Sequence, residues 1–566
     1  MILHVFYAFL VVICIVPIAP GLIGVLSSSL SYIPSIGLTQ FTLNGYHAAF
    51  EWSGVWHSIL LTLSSAIIST FFTCIISFAI LQSGWHRPIW KKIEPLLAPL
   101  LAMPHVAFAI GFAFLFSPTG MIARLIAPIT NEPLFSIIND PFNIGLILVL
   151  IIKEVPFLLL MSIPIMQQLN IDKTIKVTTS LGYKPHQMWW KCLFPQWLKK
   201  ARFPLLAIIA YSVSVVDVGL IIGSSNPPTF AVLVWQWFSD PDINLQPRAG
   251  AGAVILFILC LLLIAIHRFI EWGITSYCRA WQISGRFGFL FPGLSLFGMV
   301  SSIIVISFPI MWVWSITQRW RFPNLTPTQF SLRFWIEEWP NIVPTIADSL
   351  FIALISASIA LVLALVGHEY RLKYRWHIPP LLIAIPMLVP QLSLLFGIQV
   401  AALYFSHDSY YIWVIWSHIF FSFPYIFLAL DGPWRSFDQR LIQTGLSLGK
   451  SPLHCWFTIK APLLFPAIIY AGAIGISVSL AQYLPTKMLG AGRVMTLTTE
   501  AVALSSGFDR RITALYALWQ ALLPFVFFTL AVVIGRYYSR HSHINIKTRK
   551  VEGHEPINKE SHHFHS

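Results

Sequence analysis

Long apolar runs separated by short polar stretches dominate this chain. A membrane-spanning helix needs about 20 consecutive apolar residues, and runs of about that length recur along the sequence. Twelve spans are predicted, at residues 3–25, 57–82, 95–116, 142–165, 203–223, 249–268, 292–315, 345–367, 379–404, 411–430, 463–483 and 512–536. The pattern predicts an all-α, polytopic membrane protein.

The composition supports this prediction. Charged residues make up 10% of the 566 positions and hydrophobic residues 57%, with a mean hydropathy of +0.74. Soluble domains carry about 25% charged residues, so a soluble enzyme and a disordered protein are both excluded as descriptions of the whole chain.

The positions of the basic residues set the expected orientation. If the N-terminus is cytoplasmic, Lys and Arg are nearly three times as frequent in the inside loops as in the outside loops. This is the positive-inside bias of membrane proteins, so both termini are expected in the cytoplasm and the net charge of +14 requires no nucleic acid. Residues 1–5 carry no Lys or Arg, which favours a first span over a signal peptide.

The reactive side chains form no catalytic or metal pattern. The six cysteines include no CxxC pair, so neither a disulfide framework nor a metal site is implied. The histidines near the C-terminus are interpreted as part of a disordered cytoplasmic tail over 541–566. We expect no cofactor, no bound metal and no catalytic residue.

Two loops, six spans apart, share one pattern. Measured from Gly182, proline follows at +3 and +13 and an aromatic pair at +7 and +8, and the same spacing follows Gly449. Pro104 to Gly111 likewise has the spacing of Pro390 to Gly397. We name 166–202 the first glycine loop and 431–462 the second. An even number of spans separates them, which predicts a parallel repeat with halves at 1–285 and 286–540.

The residue types in both loops suit docking onto another protein. Small polar residues precede each glycine, which permits a turn without a β-carbon. A proline then suits the first turn of the next helix, and the aromatic pair resembles the anchors of interface cores. The candidate docking residues are Thr178, Thr179, Ser180, Leu181, Gly182, Pro185, Trp189, Trp190, Pro195, Thr444, Gly445, Ser447, Leu448, Gly449, Pro452, Trp456, Phe457 and Pro462. The alternative is an ordinary basic loop with aromatic side chains in the membrane interface.

These loops resemble the EAA loops of permease subunits of binding-protein-dependent ABC importers, although both lack the acidic first residue. The resemblance implies a bacterial inner-membrane subunit that forms the solute pathway. Its partners would be two copies of an ATPase subunit docked on the loops, a periplasmic solute-binding protein, a small-molecule or ion solute and the lipid bilayer. The segment Gly445–Ser451 is one residue short of a P-loop, so ATP hydrolysis is expected on the partner and this chain is not expected to be an enzyme.

The chain as a whole resembles one branch of this family in particular. Two fused halves, the stretch Tyr483–Thr486 and the stretch Gly492–Val502 are similar to the fused permeases of the thiamine and ferric-iron importer branch, and most similar to its uncharacterised inner-membrane members. The solute itself is left open.

Four residues are candidates for the translocation path. Lys153 and Glu154 lie near the middle of a span, where a charge costs about 2.5–3.5 kcal/mol and usually faces a cavity or a partner. Asp217 in the next span is a candidate counter-ion for Lys153, and Tyr483 begins a polar stretch at the outer side. The alternative for the charged residues is a buried ion pair that positions the two spans.

Two other classes of protein remain open at this point. A secondary carrier can also have two parallel six-span halves, but the loop after the second predicted span, Gln82–Pro88, contains no aspartate of the kind that such carriers keep there. A membrane-embedded transferase would need acidic or histidine groups at one membrane face, and here only scattered groups such as Glu337, Glu338 and His377 are found.

Overall fold

The computed structural model describes residues 2–85, 87–129, 136–277, 280, 282, 288–374, 378–404, 409–507 and 509–552. Regular structure in these residues is helical, except for an isolated bridge and a short antiparallel hairpin of β1 (Thr317–Arg319) and β2 (Gln329–Phe330). The prediction of an all-α polytopic membrane protein is confirmed.

The helices of the first half begin the chain. They are α1 (Ile2–Cys14), α2 (Ile18–Ser29), α3 (Asn44–Phe50), α4 (Val55–Gly84), α5 (Trp90–Ala102), α6 (His105–Phe116), α7 (Met121–Ile126), α8 (Ile144–Gln168), α9 (Ile171–Ser180), α10 (Pro185–Met188), α11 (Phe194–Lys200), α12 (Arg202–Ser214), α13 (Asp217–Ile222), α14 (Phe230–Phe238) and α15 (Gln246–Trp272).

The helices of the second half follow in a corresponding order. They are α16 (Gly293–Ser315), α17 (Arg333–Tyr374), α18 (Pro380–Leu388), α19 (Gln391–Ala402), α20 (Tyr410–Ser436), α21 (Arg440–Ser447), α22 (Pro452–Cys455), α23 (Ala461–Leu480), α24 (Leu484–Leu489), α25 (Leu497–Ser505) and α26 (Arg510–Glu552). From α17 onward the helices correspond in order to those from α4 onward, with two exceptions: α11 and α12 correspond to the single helix α23, and α7 has no counterpart among the described residues.

Ten helical stretches in the described residues are long and apolar enough to cross a membrane. The other two predicted spans are broken: α18 and α19 form a pair bent by 97°, and the predicted span at 203–223 is divided between the short helix α12 and α13. Proline causes one kind of break in both halves. Met103 and Val389 are extended because each precedes a proline, so the helix ends there and a new one begins.

The first helices of the two halves are exchanged, in the sense that each half packs an early helix against the other half. Helix α2 lies so close to α19 that a β-carbon on Gly24 or on Gly397 would collide with the other helix's backbone. Helix α16 approaches α6 in the corresponding place, where a β-carbon on Gly111 would lie 2.6 Å from the Ser307 β-carbon. The halves are therefore interlocked, and their apolar side chains share one large buried cluster.

The C-terminal region departs from the prediction. Helix α26 continues to Glu552, so residues 541–552 are helical where a disordered tail was expected. The remainder of the predicted tail, 553–566, lies outside the described residues, as does His377.

Candidate functional site

The first glycine loop contains a helix C-cap built on a left-handed residue. Helix α9 ends at Ser180, and Gly182 follows with φ +79°. The Tyr183 N–H donates to the Thr178 carbonyl at 2.9 Å, and the Gly182 N–H donates to the Thr179 carbonyl at 3.0 Å. This pair of bonds is the Schellman motif, which satisfies carbonyls left free at a helix end.

The second glycine loop has the same geometry. Gly449 has φ +77°, the Lys450 N–H donates to the Gly445 carbonyl at 3.2 Å, and the Gly449 N–H donates to the Leu446 carbonyl at 2.9 Å. In both loops an extended residue then leads into a helix with proline in its first turn, Pro185 or Pro452, followed by one π-helical turn. The repeat seen in the sequence is thus a repeat of backbone conformation.

The tips of both loops present apolar side chains to the outside of the chain. Leu181 is 68% exposed and Leu448 is 75% exposed, each directly before its glycine. Thr179, Ser180, Thr444 and Ser447 are also exposed, as are the prolines Pro185 and Pro452, whereas Thr178 and Gly445 are buried. A β-carbon on Gly445 would lie 2.7 Å from the Cys455 sulfur, so glycine permits the close approach of α21 to α22.

The aromatic pair of the first loop does not face outward, which corrects the interpretation of Trp189 and Trp190 as partner anchors. Both side chains are buried against Phe78 of α4, with ring centroids 5.8 and 5.0 Å from it. The Trp190 Nε1–H also donates to Gln82 Oε1 at 3.2 Å. These tryptophans attach the loop to the membrane helices of their own chain, and Pro195 is buried beside them in α11.

The second loop is attached by a carboxylate instead of an aromatic cluster. Glu369 of α17 accepts hydrogen bonds from Trp456 Nε1 at 3.0 Å and Trp434 Nε1 at 3.1 Å, and its Oε1 lies 2.5 Å from Lys460 Nζ. Phe457 remains 64% exposed, while Pro462 is partly buried. The sequence reasoning missed both Phe78 and Glu369, because neither lies in the loops.

Burial also affects a titratable group of the first loop. It raises the pKa of the Cys192 thiol, so this cysteine is held as the neutral thiol at neutral pH. A neutral thiol is a poor nucleophile.

Lys153 occupies the break between α5 and α6. Its ammonium donates to the Leu100 carbonyl at 3.1 Å and to the Met103 carbonyl at 2.6 Å, and its side chain is fully buried. These carbonyls belong to the end of α5, where they have no partner in the next turn. Among the described residues Lys153 forms no ion pair with Asp217, which corrects that prediction.

Glu154 points into a different environment from its neighbour. Its Oε1 lies 3.2 Å from His105 Nε2, and the carboxylate is 7% exposed. The His105 ring packs against Tyr211 of α12, with centroids 4.8 Å apart. His105 and Tyr211 were not predicted, although His105 directly follows the proline that breaks the third predicted span.

Asp217 and Tyr483 complete a polar cluster between the halves. Asp217 is partly exposed at the start of α13, and its Oδ1 accepts the Val218 N–H at 2.9 Å. Asp217 lies within electrostatic range of His105, Tyr211 and Tyr483, and Glu154 lies within range of Tyr211 and Tyr425. We name Glu154, His105, Tyr211, Asp217, Tyr425 and Tyr483 the central polar cluster. Tyr425 and Tyr483 belong to the second half, so both halves contribute.

At the position that corresponds to His105 by the repeat, the second half has a neutral side chain. Gln391 stands at the repeat position of His105, and its Nε2 donates to Gln482 Oε1 at 2.7 Å. Both carboxylates of the central polar cluster therefore come from the first half.

Comparisons with known proteins identify the class. No family model matches the chain. It is 32% identical to the inner membrane ABC transporter permease protein YnjC of Escherichia coli K12 over 527 residues, 92% of this chain and 94% of that protein. It is 24% identical to the sulfate transport system permease protein CysT of Synechocystis over 271 residues, 47% of this chain and 87% of that protein.

A third relative is the spermidine/putrescine transport system permease protein PotC homolog of Mycoplasma genitalium, 30% identical over 125 residues, 22% of this chain and 44% of that protein. The chain therefore belongs to the family of inner-membrane ABC transporter permeases. It is a multi-pass permease subunit of an ABC importer, and the secondary-carrier and transferase alternatives are set aside. Because permeases of this family are transport subunits, the chain is not classed as an enzyme.

Proposed function

We propose that the two glycine loops are the docking sites for two ATPase subunits, one on each loop. The observation that carries the proposal is the matched pair of Schellman turns at Gly182 and Gly449, each with an exposed leucine at its tip. Two loops of one conformation suit two copies of one partner. An ATPase can drive transport only if its contacts with the loops differ between conformations of the permease.

Loop attachment supports a role in transmitting motion. The first loop is fixed to α4 through Phe78, and the second is fixed to α17 through Glu369. A displacement of either loop would thus be transmitted to the corresponding membrane helix of its half. The proposed units remain 1–285 and 286–540, with 541–566 beyond the second half.

The proposed orientation of the chain in the membrane follows from the distribution of its basic residues between the loops. The glycine loops and both termini are placed in the cytoplasm, and a periplasmic solute-binding protein delivers the solute on the opposite side. We place the chain in the thiamine and ferric-iron importer branch on its fused halves and on Tyr483–Thr486 and Gly492–Val502. The relatives' names include a sulfate system and a spermidine/putrescine system, so family membership alone leaves the charge of the solute undetermined.

The proposed translocation path passes the central polar cluster. Two proximities between the halves support this path, that of Asp217 to Tyr483 and that of Glu154 to Tyr425, because the pathways of repeat-built transporters are found between their repeats. Lys153 lies beside this path and stabilises it without lining it, because its ammonium is bound to the Leu100 and Met103 carbonyls.

The docking proposal is tested with Leu181→Glu combined with Leu448→Glu. Because both side chains are exposed, the variant is expected to fold normally and to lose the ATPase subunit that co-purifies with the native permease in mild detergent. Leu332→Glu is the matched control, since Leu332 is 60% exposed between β2 and α17, and it should retain the subunit. Retention of the ATPase by the double variant, or its absence from the native complex after cross-linking in membranes, would contradict the proposal.

A further inference from the structure

The segment between α15 and α16 ends against the first glycine loop. Residues 288–292 lead into α16, and we name them the linker end. Gly288 allows this segment to approach α10 closely, because a β-carbon on it would lie 2.7 Å from the His186 ring and 2.9 Å from the Gln187 backbone. The linker end is therefore packed on the short helix that follows the Gly182 turn.

One glutamine connects the linker end, α4 and the first loop. Gln82 Nε2 donates to the Phe289 carbonyl at 3.1 Å, and Gln82 Oε1 accepts the Trp190 Nε1–H at 3.2 Å. The next residue of α4, Ser83, donates from its hydroxyl to the Phe291 carbonyl at 3.2 Å. The Phe289 and Phe291 rings meet Trp190 edge to face, with centroids 6.3 and 5.6 Å from its ring. These contacts fix the backbone of the linker end beside the loop.

Two apolar side chains of this fixed segment face away from the chain. Phe289 is 57% exposed and Leu290 is 80% exposed. They lie beside the loop whose tip carries the exposed Leu181. Because their backbone is already held in place, a partner that covers them has little ordering cost to overcome.

The second glycine loop presents a similar apolar surface from its own residues. Counted from the glycines, Leu453 stands at the position of His186, and Phe457 stands at that of Trp190. Leu453 is 71% exposed and Phe457 is 64% exposed, whereas Trp190 is buried and His186 is partly buried. The linker end packs on these same two residues of the first loop. It therefore places its own exposed pair where the first loop lacks one.

We propose that Phe289 and Leu290 belong to the docking surface of the first ATPase subunit, where they take the place of the exposed pair on the second loop. This inference rests on the proposed docking function, and it adds a segment outside the loops to one of the two docks. Two copies of one partner need two similar surfaces, and the linker end makes the first surface similar to the second. The membrane surface is the alternative occupant, and the test distinguishes it.

Photocrosslinking tests the contact directly. In separate samples of the permease–ATPase complex, p-benzoylphenylalanine replaces Leu290, Leu453 or Leu332, and the products are identified by mass spectrometry. We expect the probes at 290 and 453 to form adducts with the ATPase subunit of the native complex, because the reactive group labels only what it contacts. The probe at 332 is the matched control, since Leu332 is an exposed leucine between β2 and α17, and it should form no such adduct.

Polar substitutions measure what the contact contributes. The purified permease is titrated with the ATPase subunit. Leu290→Glu with Phe289→Ser should raise the Kd at one of the two sites by at least about tenfold, since burial of a single large apolar side chain corresponds to that factor. Leu453→Glu with Phe457→Ser should weaken the other site in the same way. Leu290→Met is the conservative control and should bind the ATPase as the native chain does.

The outcomes separate this inference from the docking proposal. An ATPase adduct at 453 but not at 290, or unchanged affinity of the Leu290→Glu and Phe289→Ser variant, would overturn the linker contact and leave the loop docks standing. Adducts at 290 with lipid alone would assign the pair to the membrane surface and would also overturn it. If the ATPase co-purifies but forms no adduct at either position, the inference falls as well. If the native complex contains no ATPase subunit, both proposals fall.

Discussion

At the residue scale, the two glycine loops share one backbone conformation but are attached to the membrane helices by different side chains. Gly182 and Gly449 are left-handed, and no other atom lies within 4 Å of a β-carbon built on either. The glycines are therefore needed for conformation and not for space, since a left-handed residue with a side chain costs about 1–2 kcal/mol. The position of Phe78 in the first half corresponds by the repeat to that of Glu369 in the second, so an aromatic contact is replaced by an ionic one.

The Glu369 attachment gives a prediction about stability. Glu369→Gln leaves Lys460, which is 2% exposed, without its carboxylate. Breaking a buried ion pair on one side is strongly destabilising, and with Glu369 partly exposed we expect a loss of about 2–3 kcal/mol. Thermal unfolding of the purified permease measures it, and Glu369→Gln with Lys460→Met should recover most of the loss.

The matched control for Glu369 is a solvent-exposed pair. Glu337 lies 2.7 Å from Arg333 with both side chains more than half exposed, so Glu337→Gln should change stability by less than about 1 kcal/mol. Equal effects of Glu369→Gln and Glu337→Gln would show that the carboxylate does not hold the second loop.

At the element scale, the break between α5 and α6 explains why a lysine is placed in the middle of α8. A helix interrupted inside a membrane leaves carbonyls that water cannot reach, and these must be satisfied by the protein. The Lys153 ammonium does this for Leu100 and Met103. The corresponding break between α18 and α19 has Phe421 at the position of Lys153, so the two breaks are stabilised differently.

Replacing Lys153 tests this explanation. Lys153→Met should destabilise the folded permease by about 2–4 kcal/mol, because two buried carbonyls lose charged hydrogen bonds. Lys176→Met, at an exposed position of α9, is the control and should have no measurable effect on thermal unfolding. If Lys153→Met were as stable as the native chain yet inactive in transport, direct contact with the solute would be favoured instead.

Sequence periodicity predicted most elements but not their contacts. Apolar runs are long enough to reveal spans, and the spacing from Gly182 and Gly449 revealed the repeated turn. Trp189 and Trp190 were misinterpreted because an aromatic pair suits an outer interface and an inner cluster equally well. His105 and Tyr211 were missed because one histidine and one tyrosine in apolar runs carry no periodic signal, and only the packing brings them to Glu154.

At the scale of the whole molecule, the exchanged first helices make the two halves one folding unit. Helix α2 of the first half supports α19, which begins with Gln391, and α16 of the second half supports α6, which begins with His105. Each half therefore helps to position the other half's contribution to the space between them. A destabilising substitution in α2 should therefore also destabilise helices of the second half.

Gly24→Leu tests this coupling between the halves. A leucine side chain at the α2–α19 crossing must push the helices apart, and we expect a destabilisation of roughly 3 kcal/mol, the upper end of overpacking costs. Amide hydrogen exchange should rise in α19, more than 360 residues away in sequence. Gly298→Leu is the control, because nothing lies within 4 Å of a β-carbon there. Faster exchange confined to α1 and α2 would mean that the halves fold independently, whereas faster exchange in α19 would show that the exchanged helix carries part of the second half's stability.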